Sequence, residues 1–372
     1  MNEDTFWNKL PRPIVGLAPM DGVTDAAFRE ITARHGRPDL CFTEFVSVDR
    51  ILSGYDPELS ELRYGPSERP VIAQVFGADP EGFYRIAHLI GELGFDGIDI
   101  NMGCPSKAVA RAGAGAGLIR TPDRAREILR RTRQGVLDWA SGQGLEEAGL
   151  PARVVEDVRR AKARWSVGPD EPGSAAPRRA IPVSVKTRLG YGHVVIGEWI
   201  PALLSESPAA ISLHGRTLAQ NYRGEADWEA IARAAELVRG AGTLILGNGD
   251  IRSAASAVGR IREAGVDGVL IGRAALGFPW IFRTAGDIRA AVRSAQPLPA
   301  EPALPVALRL SAALEHAELF ERRRGKRSFR FMRKYLAAYC SGFPNAVELR
   351  RRLVRAETLQ EVEAILQPAV CA

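Results

Sequence analysis

The residues of this chain most able to do chemistry fall in four short stretches. In GFDGIDINMGCPSK, residues 94–107, the carboxamide of Asn101 is followed three places later by the thiol of Cys104. Gly103 permits a tight turn, and Pro105 prevents a strand from continuing as a paired ladder. The thiol therefore stands at the lip of a strand, where it could hold or deliver a proton; a lone cysteine is otherwise a small buried hydrophobe. In VSVKTRLG, residues 183–190, Lys186 interrupts a strand pattern, and an ammonium is costly to bury without a partner. His214 and Arg216 lie in LHGRT, residues 213–217, and an imidazole there suits ligand contact. Finally, Asn248, Gly249 and Asp250 in GNGD, with Gly272 and Arg273, resemble a phosphate cup. Glycines free backbone N–H groups to face an anion, and Arg273 adds charge.

These stretches need elements to position them. β-Branched, apolar runs predict strands at 14–20, 40–46, 70–77, 95–102, 182–189, 210–216, 243–250 and 266–273. Helical patterns lie between most of them, for example 81–93, 228–239 and 253–264. Strands alternating with helical crossovers predict a parallel sheet, and eight such units in series predict a closed (β/α)₈ TIM barrel. Active sites of such barrels form at the carboxyl ends of the strands. The stretches named above are the ends of strands four to eight. Strand one adds Pro19, Met20 and Asp21, and strand three adds Gln74.

The barrel is expected over 1–296, with an insertion at about 135–180. That insertion holds a basic helical stretch at 153–164 and a Pro/Gly/Ser-rich run at 167–177. A basic helix of this kind is usually a solvated face. Prolines 297, 299, 302 and 305 mark a linker into an all-helical domain over 297–372. There Phe329, Met332, Leu336 and Tyr339 would form one buried stripe. Arg323, Arg327, Arg330 and Lys334 would lie on another face of the same helix.

Composition narrows the classes. The 372 residues are 46% hydrophobic and 25% charged, as in an ordinary globular protein. No run approaches a membrane span, and the polar start MNEDTFWNKLPRP lacks an apolar signal core, so a cytoplasmic location is expected. The four cysteines have neither pairing nor metal spacing, and no metal is expected. Of the net charge of +6, the last 76 residues carry +5, with thirteen Lys/Arg against eight Asp/Glu. A basic tail beside a nearly neutral barrel suggests a polyanionic partner.

The series LAPMDGVTDAAFR, DINMGCPSK, VSVKTRLG, LHGRT, GNGDI and GVLIGRAALGFPWIF resembles the flavin-dependent tRNA-dihydrouridine synthases of bacteria, and the tail GKRSFRFMRKYLAAYCSGFPNAVELRRRL is similar to their helical RNA-binding domain. The B-type branch is the nearest in pattern, although Tyr335 stands where its histidine is expected. The resemblance implies reduction of the uracil 5,6 double bond in tRNA, with FMN as cofactor and NADPH or NADH as reductant. It implies FMN contacts for Pro19, Met20, Asp21, Gln74, Lys186, His214, Asn248, Gly249, Asp250, Gly272 and Arg273. Cys104 becomes the proton donor to C5. Asn101 holds the uracil, and Arg188, Arg323, Arg327, Arg330 and Lys334 face the substrate RNA. A monomer is expected. Two other readings share parts of the pattern. An FMN barrel reductase acting on a free pyrimidine or dihydroorotate would need no basic tail, and a non-catalytic tRNA-binding protein would need no Cys104.

Overall fold

The computed structural model of the chain describes residues 5–54, 56–165, 178–294, 297–299, 304–324 and 326–370, with the side chains of 56–58, 326–327 and 368–370 left undescribed. Its strands are β1 (Ile14–Leu17), β2 (Cys41–Phe42), β3 (Val46–Ser47), β4 (Val71–Phe76), β5 (Gly97–Met102), β6 (Val183–Arg188), β7 (Ala210–His214), β8 (Leu244–Asn248) and β9 (Gly268–Ile271). All pairings are parallel, in the order β1-β9-β8-β7-β6-β5-β4-β2, with β3 also on β4. Backbone bonds close the ring: Leu17 N–H donates to the Leu40 carbonyl at 3.0 Å and Asp39 N–H to that of Val15 at 3.0 Å. The (β/α)₈ barrel expected from the sequence is therefore present.

One strand differs from expectation. Residues 40–46 form two short strands rather than one. The hydroxyl of Thr43 accepts the Gln74 N–H at 2.9 Å, a side chain replacing the backbone partner that a continuous ladder would supply. The short break leaves both pieces on β4.

Period-two alternation divides the strands into two faces. Outward residues such as Val15, Ile98, Val185, Ile211 and Val269 pack against the helices. Inward residues start apolar, with Ile14, Phe42, Ile72, Ala210, Leu246 and Leu270 packed around Trp7 from the segment preceding β1. Further along the same inward rows come Gln74, Asn101, Lys186, His214 and Asn248. The barrel is thus sealed by hydrocarbon at one end and presents polar groups at the other.

The insertion begins later than its predicted boundary, because the helix Pro122–Ala140 runs through residue 135 without a break. Its second helix, Ala152–Trp165, has cations matched to carboxylates: Arg159 to Glu146, Arg160 to Asp157 and Lys162 to Glu92. That matching agrees with a solvated, structural face. The Pro/Gly/Ser run at 167–177 lies outside the described residues.

The tail is helical but not as predicted. Helix Val306–Arg324 ends before a 3₁₀ turn, Lys326–Met332, which leads into helix Arg333–Tyr339. Arg323 and Lys334 therefore belong to different helices. The buried stripe of Phe329, Met332, Leu336 and Tyr339 forms as expected. Helix Val306–Arg324 packs on the first barrel helix, Ala26–His35. Ion pairs flank the contact, Arg34 with Glu315 and Arg323 with Glu30, and the His35 ring lies at hydrogen-bond distance from Glu315. The hydroxyl of buried Tyr335 lies within hydrogen-bond distance of both the Val23 carbonyl, at 2.7 Å, and the Asp25 carboxylate, at 2.9 Å, and its one proton is shared between these two acceptors. The tail is thereby fixed to the segment that follows β1.

The same barrel helix is anchored from within by Arg29, wholly buried with Glu68 at 2.6 Å. Its other donors reach the carbonyls of Thr24 and Arg63, each at 2.6 Å. Removing one partner strands a buried charge. Glu68→Ala should lower stability by about 3–5 kcal/mol in chemical denaturation; a loss below about 1 kcal/mol would show that the pair is dispensable.

Candidate active site

The polar ends of the strands enclose a cavity of about 880 Å³. Cys104 lines it, as do Pro19, Met20, Asp21, Gln74, Asn101, Lys186, Arg188, His214, Asn248, Gly249, Asp250, Gly272 and Arg273. These fourteen residues singled out in the sequence therefore converge on one space, while Arg216 stands buried behind it, bonded to His214 and Asp250.

The cysteine turn is built by Asn101. Its side-chain oxygen accepts the N–H groups of Gly103 at 3.0 Å and Cys104 at 2.8 Å, while its amide donates to Gln74 at 3.0 Å. Gln74 in turn donates to Asp99 at 2.7 Å, which also accepts from Ser184 at 2.6 Å. Arg188 holds the turn from the other side, donating to the Gly103 carbonyl at 2.6 Å and to the Asn221 carbonyl at 3.1 Å. Gly115 backs the turn at φ +56°, and a Cβ there would meet the Cys104 Cβ at 3.0 Å. Burial raises the Cys104 pKa, and the Asp21 carboxylate adds to the effect against the opposing Ser106 N–H and Arg188. At neutral pH the group is a thiol.

Lys186 is the register partner of Asn101 and faces the cavity. No acceptor among the described residues bonds its ammonium. Burial, then Arg188, lowers its pKa to about 8 despite Asp99. Burial of Asp99 raises that carboxyl to about 6. The His214 pKa is pushed far down by burial and by the surrounding cations, Lys186 first, so the ring is neutral. Its Nε2 lies 3.3 Å from the Arg216 guanidinium. A guanidinium only donates, so Nε2 accepts and the proton sits on Nδ1.

On the opposite wall, Gly249 takes φ +131°, and a Cβ there would lie 2.7 Å from that of Ala226. Gly272 leaves room beside Met20, whose sulfur lies 3.1 Å from a built Cβ. Asp250 receives Arg216 at 2.6 Å, Arg273 at 2.9 Å and the Ala226 N–H at 2.8 Å. Arg273 remains 62% exposed on its side chain. The cup thus has bare backbone and an available cation.

The tail residues lie elsewhere. Arg323 is committed to Glu30, and Lys334 donates to the carbonyl of Gly22 at the cavity lip. Arg330 is exposed, and the Arg327 side chain lies outside the described residues. Sequence reasoning missed Phe45, Asn221, Tyr222 and Arg252, which also line the cavity. Phe45 lies in the break between β2 and β3, where the sequence pattern predicts a continuous strand. Asn221 and Tyr222 lie on the loop after β7, where an Asn-Tyr pair beside Gly224 offered a weak turn signal. Among the described residues, no group of three or more His, Cys, Asp or Glu side chains could hold a metal.

Residues 16–138 and 175–372 match the dihydrouridine synthase (Dus) family. A probable tRNA-dihydrouridine synthase 2 of Bacillus subtilis (strain 168) is 31% identical over 98% of this chain and 96% of its own. A probable tRNA-dihydrouridine synthase of Staphylococcus aureus (strain COL) is 30% identical over 98% and 95%. A solved structure of DHODH from Eimeria tenella, in complex with ferulenol, covers 80% of this chain and 88% of its own at 14% identity, with a TM-score of 0.48. The protein is a flavin-dependent oxidoreductase on a parallel barrel. It belongs to the dihydrouridine synthase family.

The residues present fit a flavin. Lys186 offers an unmatched donor, and the Gly249–Gly272 wall would be filled by any Cβ. Lys186 also carries a cost. Between pH 8 and 10.5 the unfolded chain holds a proton that the folded chain has lost, so stability of the flavin-free protein rises across that window. At pH 7 Lys186→Met should therefore unfold at higher temperature, with a gain of no more than about 3 kcal/mol. The two melting curves should converge above pH 10.5, and flavin affinity should fall. A variant less stable than wild type at pH 7 would refute this assignment.

Proposed function

We propose that the chain is an FMN-dependent tRNA-dihydrouridine synthase, acting as a cytoplasmic monomer with NADPH or NADH as reductant. The barrel, 1–296, is the catalytic domain, and the helical 297–372 is the RNA-binding domain. The observation that carries this reading is the single cavity that holds both the glycine–arginine cup and the Cys104 turn. β5, which delivers the turn, and β9, which precedes Arg273, stand four strands apart in the ring.

FMN, when bound, supplies the hydride that the uracil receives at C6. The remaining work falls to the chain. Asn248, Gly249, Gly272 and Arg273 take the phosphate, with Asp250 holding Arg273 in place. Pro19, Met20 and Asp21 would flank the flavin ring system, and Gln74, Lys186 and neutral His214 would offer donors to its polar edge. The positive charge at that edge comes from Lys186. Cys104 delivers its proton to C5, a step that its raised pKa favours by keeping the thiol protonated. Asn101 and Arg188 fix the turn that carries it, and each retains a place on the cavity wall for the uracil. The sum is one uracil double bond reduced and one NAD(P)H oxidised, with a proton taken up.

The base must leave the RNA stack to enter the cavity, at a cost of a few kcal/mol. A basic tail gripping the backbone offsets that cost, which favours tRNA over a free pyrimidine as substrate.

Two experiments follow. Cys104→Ala should slow dihydrouridine formation in tRNA by about 10²–10⁴-fold while leaving flavin content and NADPH-driven flavin reduction intact; full activity in the variant would remove the proton-donor role. Changing Arg327 and Arg330 to glutamate should weaken tRNA binding and reduce the magnitude of its log–log salt slope by about one for each phosphate that is no longer neutralised. An unchanged slope would make both arginines a solvated face. Equal turnover of free uridine and tRNA would favour the pyrimidine reductase instead.

A further inference from the structure

Eight large hydrophobic side chains are exposed among the described residues, and two are aromatic: Tyr222 at 61% and Phe331 at 50%. Both carry an arginine over the ring face. Arg273 lies 6.0 Å from the Tyr222 centroid, and Arg330 lies 5.0 Å from that of Phe331. Tyr222 lines the cavity and belongs to the site already described. Phe331 is on the tail, and the reaction gives it no role.

Its placement is informative. Phe329 and Met332 beside it are buried, as are Leu336 and Tyr339, so the chain buries every neighbouring large apolar group and leaves this one in water. Phe331 lies at the end of the 3₁₀ turn Lys326–Met332 and Lys334 three residues on, at the start of the next helix, and side chains three apart in a 3₁₀ turn eclipse one another. Lys334 donates to the carbonyl of Gly22, and Gly22 follows Asp21, a wall residue of the cavity. The exposed ring therefore stands about one helical turn from the point where the tail touches the cavity lip. Two cations lie near it in the chain, Arg330 on the ring face and Lys334 at the cavity lip.

We propose that the Phe331–Arg330 pair is a stacking platform for an unpaired RNA base next to the extruded uridine. This rests on the reading of RNA as substrate. A base pulled from a helix leaves a neighbour unstacked. An aromatic face can receive that neighbour with no demand on its sequence, and the adjacent cation suits its phosphate. The site thus holds the gap in the RNA open while the uridine occupies the cavity.

The test uses the flavin-loaded full-length enzyme, with the target uridine of its tRNA mapped first. Phe331→Ala and Phe331→Leu should raise the tRNA Kd about 5- to 100-fold at fixed salt, and Phe331→Trp should stay within about twofold of wild type. Flavin content, flavin reduction by NADPH and thermal midpoint should not move in any of the three. Removing the base on one side of the target uridine should weaken wild-type binding equally and weaken Phe331→Ala no further. Alanine and leucine variants that bind like wild type, or losses from the abasic RNA and the variant that simply multiply, would overturn the platform. So would a monomer–dimer shift between wild type and Phe331→Ala in sedimentation, which would make the ring a self-association contact. Failure of the wild type to form any dihydrouridine would instead defeat the proposed function itself.

Discussion

The carboxamide of Asn101 joins the two halves of the site. Its oxygen takes the N–H groups of Gly103 and Cys104, and its nitrogen bonds Gln74, which leans on Asp99. The turn that carries the thiol and the wall that faces the cofactor are therefore set by one planar group with no freedom left over. Because the network is buried, any member left without its partner would cost more than a surface hydrogen bond. A small movement of Gln74 is felt at Cys104. Arg188, bonded to the Gly103 carbonyl and to the loop after β7, extends the same constraint to the far rim.

This network is tolerated only because the barrel separates its interior into two zones. Hydrocarbon around Trp7 seals one end, and the inward rows turn polar only past the middle of each strand. The folded chain accommodates a desolvated Lys186 and a neutral His214 in the polar zone, both of which burial disfavours in their charged forms. At neutral pH Lys186 thereby weakens the flavin-free fold, whereas His214, neutral in the folded and the unfolded chain alike, costs stability only in acid. The tail reinforces the arrangement from outside. Tyr335 contacts Val23 and Asp25, a few residues beyond the Pro19–Asp21 wall, so docking of the helical tail bears directly on the strand-one end of the cavity.

Much of this was legible in the chain. Strand ends rich in Gly, Asn, Lys and His stand out because the rest of each strand is apolar, and their order along eight repeats identifies the barrel. Fourteen of the barrel residues chosen from sequence line one cavity. Less visible were contacts set by side chains across the fold. Nothing local says that the Thr43 hydroxyl will replace a ladder bond and split the second strand. Helical spacing put Arg323 and Lys334 on one face, but Gly325 lies between them and the helix ends at Arg324. Arg323 then finds Glu30, nearly 300 residues away in sequence, a pairing that periodicity does not encode. Tyr335, a departure from the expected histidine, hydrogen-bonds from the tail to Asp25 at the start of the first barrel helix. The loop bearing Asn221 and Tyr222 carries no period at all.

The central claim is that this chain reduces uridines in tRNA through the Cys104 turn. Its most direct test is expression in cells whose tRNA lacks dihydrouridine altogether, followed by position-by-position mapping of the modification. The wild-type chain should install dihydrouridine at defined tRNA positions, and Cys104→Ala should leave those positions unreduced or nearly so. tRNA that remains free of dihydrouridine when the flavin-loaded wild-type protein is present would contradict the account.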